Sequence, residues 1–173
     1  EGGMARVYLV RHTTLGTLHA LKLLTSASAQ VRGRLLREGR IQGQLRDPGV
    51  VNVTDVIVVD GSPGLVMEFV DGPTLHDWIR HRPPSLPQAD AMAREILRVM
   101  SAAHRSGLIH RDLKPANVLI EIGHAGLQPK IADFGLAKVF ASDAAPGLTR
   151  SGAMMGTPQY MAPEQIRGDK VDG

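Results

Sequence analysis

The chain has 173 residues, enough for one domain with a real core and too few for two. Its 43% apolar and 21% charged residues are those of an ordinary globular protein, and with aromatics at 3% the core must be aliphatic. A net charge of +3, with arginines scattered among acids, argues against a nucleic-acid footprint, and the absence of cysteine excludes disulfides, thiolate chemistry and Cys/His zinc clusters. No apolar stretch approaches a membrane span. The opening Glu1-Gly2-Gly3 carries neither a signal peptide nor an initiator methionine, so we expect a cytoplasmic chain cut at its front, whose parent is free to be anchored through another segment.

Apolar runs at Val7–Val10 and His19–Leu24, parted by Leu15-Gly16-Thr17, predict a hairpin. Ser26–Leu45 predicts a helix, with Val31, Leu35, Glu38, Gln42 and Leu45 on one stripe and Asp47-Pro48-Gly49 ending it. Two more strands are expected at Val53–Val59 and Leu65–Phe69, joined through Asp60–Gly64. Beyond Asp71-Gly72-Pro73 the pattern turns helical, with a short helix at Leu75–Arg80. A longer one runs from Pro87, at a tolerated first-turn position, to Gly107, with Met92, Ile96, Val99 and Ala103 facing inward. Short strands at Val118–Glu121 and Lys130–Ala132 follow, then a loop rich in Ala, Gly, Ser and Thr. A sheet-rich unit over residues 1–70 and a helical one over 71–173 are therefore expected, hinged at Glu68–Gly72.

The strongest chemical signal is His110-Arg111-Asp112-Leu113-Lys114-Pro115-Ala116-Asn117, a loop between a helix and a strand. Its spacing gathers a carboxylate, an ammonium and an amide. Asp112 can orient a hydroxyl proton, Lys114 can neutralise phosphate, and Asn117 can offer oxygen to Mg²⁺. Asp133-Phe134-Gly135 follows an apolar strand and supplies a second hard oxygen ligand at Asp133, while Gly135 lets the chain turn. Lys22 sits on a strand face with Ala20 and Leu24, where an isolated lysine would simply snorkel to solvent. Glu38, a carboxylate on the apolar stripe of the helix, changes that reading because burying it unpaired is costly. Lys22 is the partner that resolves the cost and is then held against the α- and β-phosphates of a nucleotide. Glu1–Val7 reads as the tail of a glycine-rich phosphate loop, in which Gly2 and Gly3 let backbone N–H groups approach closely, although Ala5 replaces the last glycine.

Together these motifs, with Gly156-Thr157-Pro158-Gln159-Tyr160-Met161-Ala162-Pro163-Glu164, resemble the eukaryotic-like (Hanks-type) serine/threonine protein kinases, in the phrasing of their bacterial branch, from Glu1 to about Gly168. The resemblance implies an α+β, protein-kinase-like two-lobed fold. Its N-terminal lobe is an antiparallel sheet plus one helix, and its C-terminal lobe is helical and partial, since the family places further helices after this point. It implies Met67 as gatekeeper, Glu68 to Val70 as the adenine-binding hinge, Val7, Ala20 and Leu119 around the adenine, and Asp71 near the ribose. Thr157 and Lys114 match the serine/threonine rather than the tyrosine pattern. Ala5, Gly39 and Gln42 depart from the family, the last two loosening a helix that is usually firm.

The reading that follows is ATP- and Mg²⁺-dependent transfer of a γ-phosphate to protein serine or threonine. Asp112, Lys114, Lys22, Glu38 and Thr157 would form the reacting centre and Asn117 with Asp133 would hold the metal. A phosphate on Thr149 or Ser151, paired with Arg111, would order the loop. A nucleotide-binding scaffold without transfer is disfavoured because every ionic group the chemistry needs is present. A small-molecule kinase is disfavoured by the 156–164 segment, which in the family docks a peptide. Residues 1–173 alone are expected to be inactive, with Glu164 lacking its arginine partner.

Overall fold

The computed structural model describes residues 5–24, 33, 35, 37, 39, 42, 43, 45–123, 126–134, 158–167, 169, 171 and 172. The chain forms two compact units, the first of residues 1–46 and 52–69, the second of residues 47–51 and 70–173.

The first unit is a four-stranded antiparallel sheet in the order β1-β2-β4-β3, where β1 is Ala5–Arg11, β2 Leu18–Leu24, β3 Val53–Val59 and β4 Ser62–Glu68. The β3–β4 connection is shorter than expected. Asp60 (φ 49°) and Gly61 (φ 77°) alone make a two-residue hairpin turn with both central residues at positive φ, the geometry whose twist suits flanking strands. Ser62, Pro63 and Gly64, read from sequence as connection, are therefore strand. Pro63 fits because β2 pairs with β4 no further than Leu23 opposite Gly64, so no ladder bond is asked of its missing N–H. Residues 33, 35, 37, 39, 42 and 43 are helical, with Leu35 and Gln42 buried. Leu45, expected inside the helix, lies past it, its N–H donating to the Gln42 carbonyl at 3.0 Å. A Cβ on Gly39 would stand 3.0 Å from Leu65 and 3.3 Å from Val56, so the helix lies close on the sheet face that carries Leu65. Register puts Val7 and Leu65 beside Lys22, and Met67 beside Ala20, on that same face.

The second unit begins with α1, Leu75–His81, capped by Thr74, whose hydroxyl accepts the Asp77 N–H. It continues with α2, Leu86–Arg105, which starts one residue earlier than Pro87 because Ser85 and Gln88 form a complete capping box. The expected inward stripe holds: Met92, Val99 and Ala103 are buried, and Ile96 packs against the core of Trp78, Met92, Val118 and Ile120. A two-stranded hairpin, β5 (Val118–Gly123) and β6 (Gly126–Ile131), is longer than the sequence pattern implied, and Ala132 lies just beyond it.

Both edges of the hairpin are covered. Ile131 pairs with residues 49–51, donating to the Gly49 carbonyl at 2.8 Å and accepting from Val51 N–H at 2.9 Å, while Ile120 N–H donates to the Pro73 carbonyl at 2.9 Å. Two glycines permit these approaches, since a Cβ on Gly49 would sit 2.3 Å from Val99 and one on Gly72 only 1.9 Å from the Ile120 carbonyl oxygen. The short α3, Pro163–Arg167, follows later. Among the described residues no helix is long and apolar enough to cross a membrane.

Candidate functional site

The hairpin positions the chemistry of the second unit. Asn117 ends a single 3₁₀ turn, Pro115–Asn117, and runs directly into β5, while Asp133 lies two residues past β6. Pairing of Val118 with Ile131 brings the segments flanking the hairpin side by side, and Ala132 N–H donates to the Asn117 carbonyl at 2.9 Å. Asn117 and Ala132, fifteen apart in sequence, are thus adjacent, and Asp133 is the next residue in the chain.

Asp112 is the hub of a compact polar cluster. Its Oδ2 accepts from Lys114 Nζ at 2.8 Å and from Asn117 Nδ2 at 3.1 Å, and the same Nδ2 donates to the Asp112 carbonyl at 2.8 Å. The carboxylate is only a quarter exposed, which strengthens these charge-assisted bonds relative to a surface pair.

His110 supports the loop from beneath. It is 1% exposed and its ring lies against that of Phe134, 4.7 Å between centroids. Nε2–H donates to the Ala132 carbonyl at 2.8 Å, and Nδ1 accepts the Asp112 N–H at 3.3 Å. These two partners are satisfied by one neutral tautomer. Burial pushes the His110 pKa below its ordinary value, against the opposing pull of the Ala132 hydrogen bond and of the charges on Asp133 and Asp112. The imidazole is therefore a neutral strut.

Arg111 (φ 67°) and Asp133 (φ 64°) both occupy the left-handed region, seldom used by residues with a Cβ. Such conformations persist where the surroundings over-determine them, and they cluster at functional sites. One support for Arg111 was not anticipated from sequence. Gln165, in α3, donates from Nε2 to the Arg111 carbonyl at 2.7 Å across 54 residues. Its signal was a lone glutamine after the 156–164 motif, which carries no chemistry of its own.

The remaining candidates lie as follows. Lys22 is half-buried on β2, beside Val7 and Leu65; Val7 is 64% exposed, Ala20 half-buried and Met67 buried. Glu68 accepts the Asn52 N–H through Oε1 at 3.3 Å. In the second unit Val70 is buried, Asp71 exposed and Leu119 half-buried, Leu119 bridging to Thr74. Gly2, Gly3, Glu38, Gly135, Thr149, Ser151 and Thr157 lie outside the described residues. A cavity of about 540 Å³ elsewhere in the second unit, lined by Pro48, Gly49, Met92, Glu95 and the first residues of β6 among others, contains none of the site candidates.

Among the described residues no group of three or more His, Cys, Asp or Glu side chains could hold a metal. Asn117 and Asp133 instead offer two hard oxygen donors, a set suited to a cation that takes its other ligands from phosphate and water.

The protein kinase domain family matches residues 1–173. The serine/threonine-protein kinase pkn2 of Myxococcus xanthus is 38% identical over 99% of this chain and 21% of its own length, and PkaA of Streptomyces coelicolor 39% over 87% and 27%. Among solved structures, Rad53 1–466 in complex with AMP-PNP superposes with a TM-score of 0.76 at 30% identity, covering 96% of this chain and 40% of that one. The PknI kinase domain of Mycobacterium tuberculosis gives 0.71 at 30% identity, over 99% and 64%. The chain spans about a fifth to a third of the length of the curated relatives it matches.

Proposed function

The chain belongs to the protein kinase family, with the family's fold, and from that premise we propose that its parent protein transfers the γ-phosphate of ATP to serine or threonine hydroxyls of protein substrates. The observation that carries the proposal is the Asp112 carboxylate held between Lys114 Nζ and Asn117 Nδ2, beside the hairpin end that leads to Asp133.

Asp112 orients the acceptor hydroxyl and takes up its proton, while Lys114 offsets charge on the transferring phosphoryl group. The donors of Asn117 are turned to Asp112, which leaves the carboxamide oxygen as its metal-facing group, with the Asp133 carboxylate as the other. Mg²⁺ bound there would neutralise phosphate charge. Lys22, with Glu38 as its partner, holds the α- and β-phosphates. Gly2 and Gly3 cover them, and Val7, Ala20, Met67, Glu68, Val70, Asp71 and Leu119 receive the nucleoside. Thr157 sets the serine/threonine acceptor pocket with Lys114. Catalysis on this reading is positioning and electrostatics rather than covalent chemistry. A cysteine-free, ATP-consuming chain suits the cytoplasm.

The test is transfer from radiolabelled ATP in the full-length protein, followed by phosphoamino-acid analysis. We expect phosphoserine and phosphothreonine from the wild type and no transfer from Asp133→Ala. Chiefly phosphotyrosine, or an Asp133→Ala variant as active as the wild type, would overturn the proposal.

A further inference from the structure

The amide of Gln165 does two things at once. It stands at the third position of α3, and its Oε1 accepts the N–H of Ala162, the residue that caps the helix, at 3.2 Å. This is the return half of a capping box. Its Nε2 reaches back 54 residues and donates to the Arg111 carbonyl at 2.7 Å, in a part-buried setting. That carbonyl belongs to the residue immediately before Asp112, in a backbone conformation (φ 67°) that side-chain-bearing residues avoid. The other face of the same peptide link is also held, because the Asp112 N–H donates to His110 Nδ1 at 3.3 Å. The Arg111–Asp112 peptide plane therefore has its oxygen fixed by Gln165 and its N–H fixed by a buried imidazole.

We propose that Gln165 is a positioning residue for Asp112: it clasps the segment around Ala162–Gln165 to the catalytic loop and sets the plane of the Arg111–Asp112 peptide. The inference rests on the kinase reading of the site and adds to it a residue outside the polar cluster. Glutamine suits the task because both jobs are needed from one side chain, an acceptor for the helix end and a donor for the loop. Glutamate keeps the acceptor, and a carboxylate in the first turn of a helix is favourable, but it has no donor and turns an anion toward a carbonyl. Alanine removes both bonds. The two substitutions separate capping from clasping.

The experiment compares wild type, Gln165→Glu and Gln165→Ala in the full-length protein by thermal unfolding, by amide hydrogen exchange over residues 110–117, and by steady-state phosphotransfer. For Gln165→Glu we expect an unchanged unfolding midpoint, exchange over 110–117 faster by about tenfold, and kcat lower by about tenfold with the KM for ATP unchanged, the size of one lost hydrogen bond to a part-buried carbonyl. Gln165→Ala should show the same local and kinetic losses together with a lowered midpoint. Wild-type exchange and kcat in Gln165→Glu would overturn the proposal. So would parallel losses of midpoint and kcat in both variants, because these would make Gln165 a contributor to overall stability rather than a positioning residue for the loop. Faster loop exchange in a protein whose wild type transfers no phosphate would leave the clasp standing and remove the kinase reading instead.

Discussion

The loop and hairpin of the second unit and the sheet of the first place their charged groups by different means. In the second unit, Asp112, Lys114 and Asn117 lie within six residues of one another, and each is pinned by short-range bonds in a loop with unusual dihedral angles. In the first, Lys22 stands on a regular strand, and register alone sets it beside Val7 and Leu65. The first arrangement is rigid locally and specifies individual atoms. The second specifies a face of a sheet, and the lysine's long side chain supplies the last few ångströms. Substitutions of Asp112 or Lys114 should therefore strike chemistry without touching nucleotide affinity, whereas substitutions on the sheet should strike nucleotide placement.

The largest effect that tests this contrast is Asp112→Ala. Losing a positioned base should lower kcat by about 10³-fold, within the range for general acid–base groups, with ATP affinity kept within twofold. Titration with a fluorescent nucleotide alongside turnover measures both, and a parallel loss of binding would erase the distinction between the two regions.

Gly72→Ala probes the scaffold rather than the reacting groups. Its added methyl would fall 1.9 Å from the backbone oxygen of Ile120, which cannot swing aside as a side chain would. Denaturant unfolding should show a loss of about 3 kcal/mol, the upper end for overpacking. A loss under 1 kcal/mol would mean that the β5 edge is less tightly clamped than the Pro73–Ile120 bond suggests.

Lys22→Met sharpens the other side of the comparison. Methionine keeps much of the apolar stem on the sheet but leaves Glu38, the proposed partner, without the cation that offsets its burial, so stability should fall by about 1–3 kcal/mol. The expected fall in kcat/KM is about 100-fold, as phosphate positioning is lost. Calorimetry and initial rates over a range of ATP concentrations separate the two effects. Unaltered kinetics would make Lys22 an ordinary surface lysine.

The same contrast explains what was legible in the amino-acid sequence. The polar loop could be read because its functional groups are close along the chain and their residue types are dictated by charge. The strands could be placed but not measured: Ser62–Gly64 resembled a connection because Pro and Gly usually mark one, and only the pairing partners show why they are tolerated in β4. The length of the β5–β6 hairpin was hidden likewise, since Gln128 and Pro129 interrupt its apolar pattern. Gln165 was missed for the opposite reason. Its partner is a main-chain carbonyl 54 residues away, and no residue type at position 111 signals that. Segment 47–51 runs between two pieces of the first unit yet packs with the second, a topological fact that composition cannot carry.

That segment supplies the smallest prediction. Asp47 accepts two bonds from Arg98 of α2, Nη1 to Oδ2 and Nη2 to Oδ1, both at 2.8 Å, and its Oδ1 also accepts the Gly49 N–H at 2.9 Å. The Arg98 hydrogen bond holds the Asp47 carboxyl below its ordinary 3.8, helped by the Gly49 N–H and opposed by partial burial. Arg98 is about half exposed, so the pair is worth far less than a buried one, and Asp47→Asn should cost about 1 kcal/mol at neutral pH. The sign of the pH dependence follows from the direction of the shift. A folded-state pKa below the unfolded one means that the native state gains from the charged form at any pH above the unfolded value. That gain is lost as the pH falls through the depressed folded value. Urea unfolding of wild type and Asp47→Asn should accordingly give a constant difference from pH 7 down to about pH 4, and the two should converge in more acidic solution. A difference that persists undiminished below pH 3 would assign the cost to packing at Gly49 and Val99 instead of to the charge of Asp47.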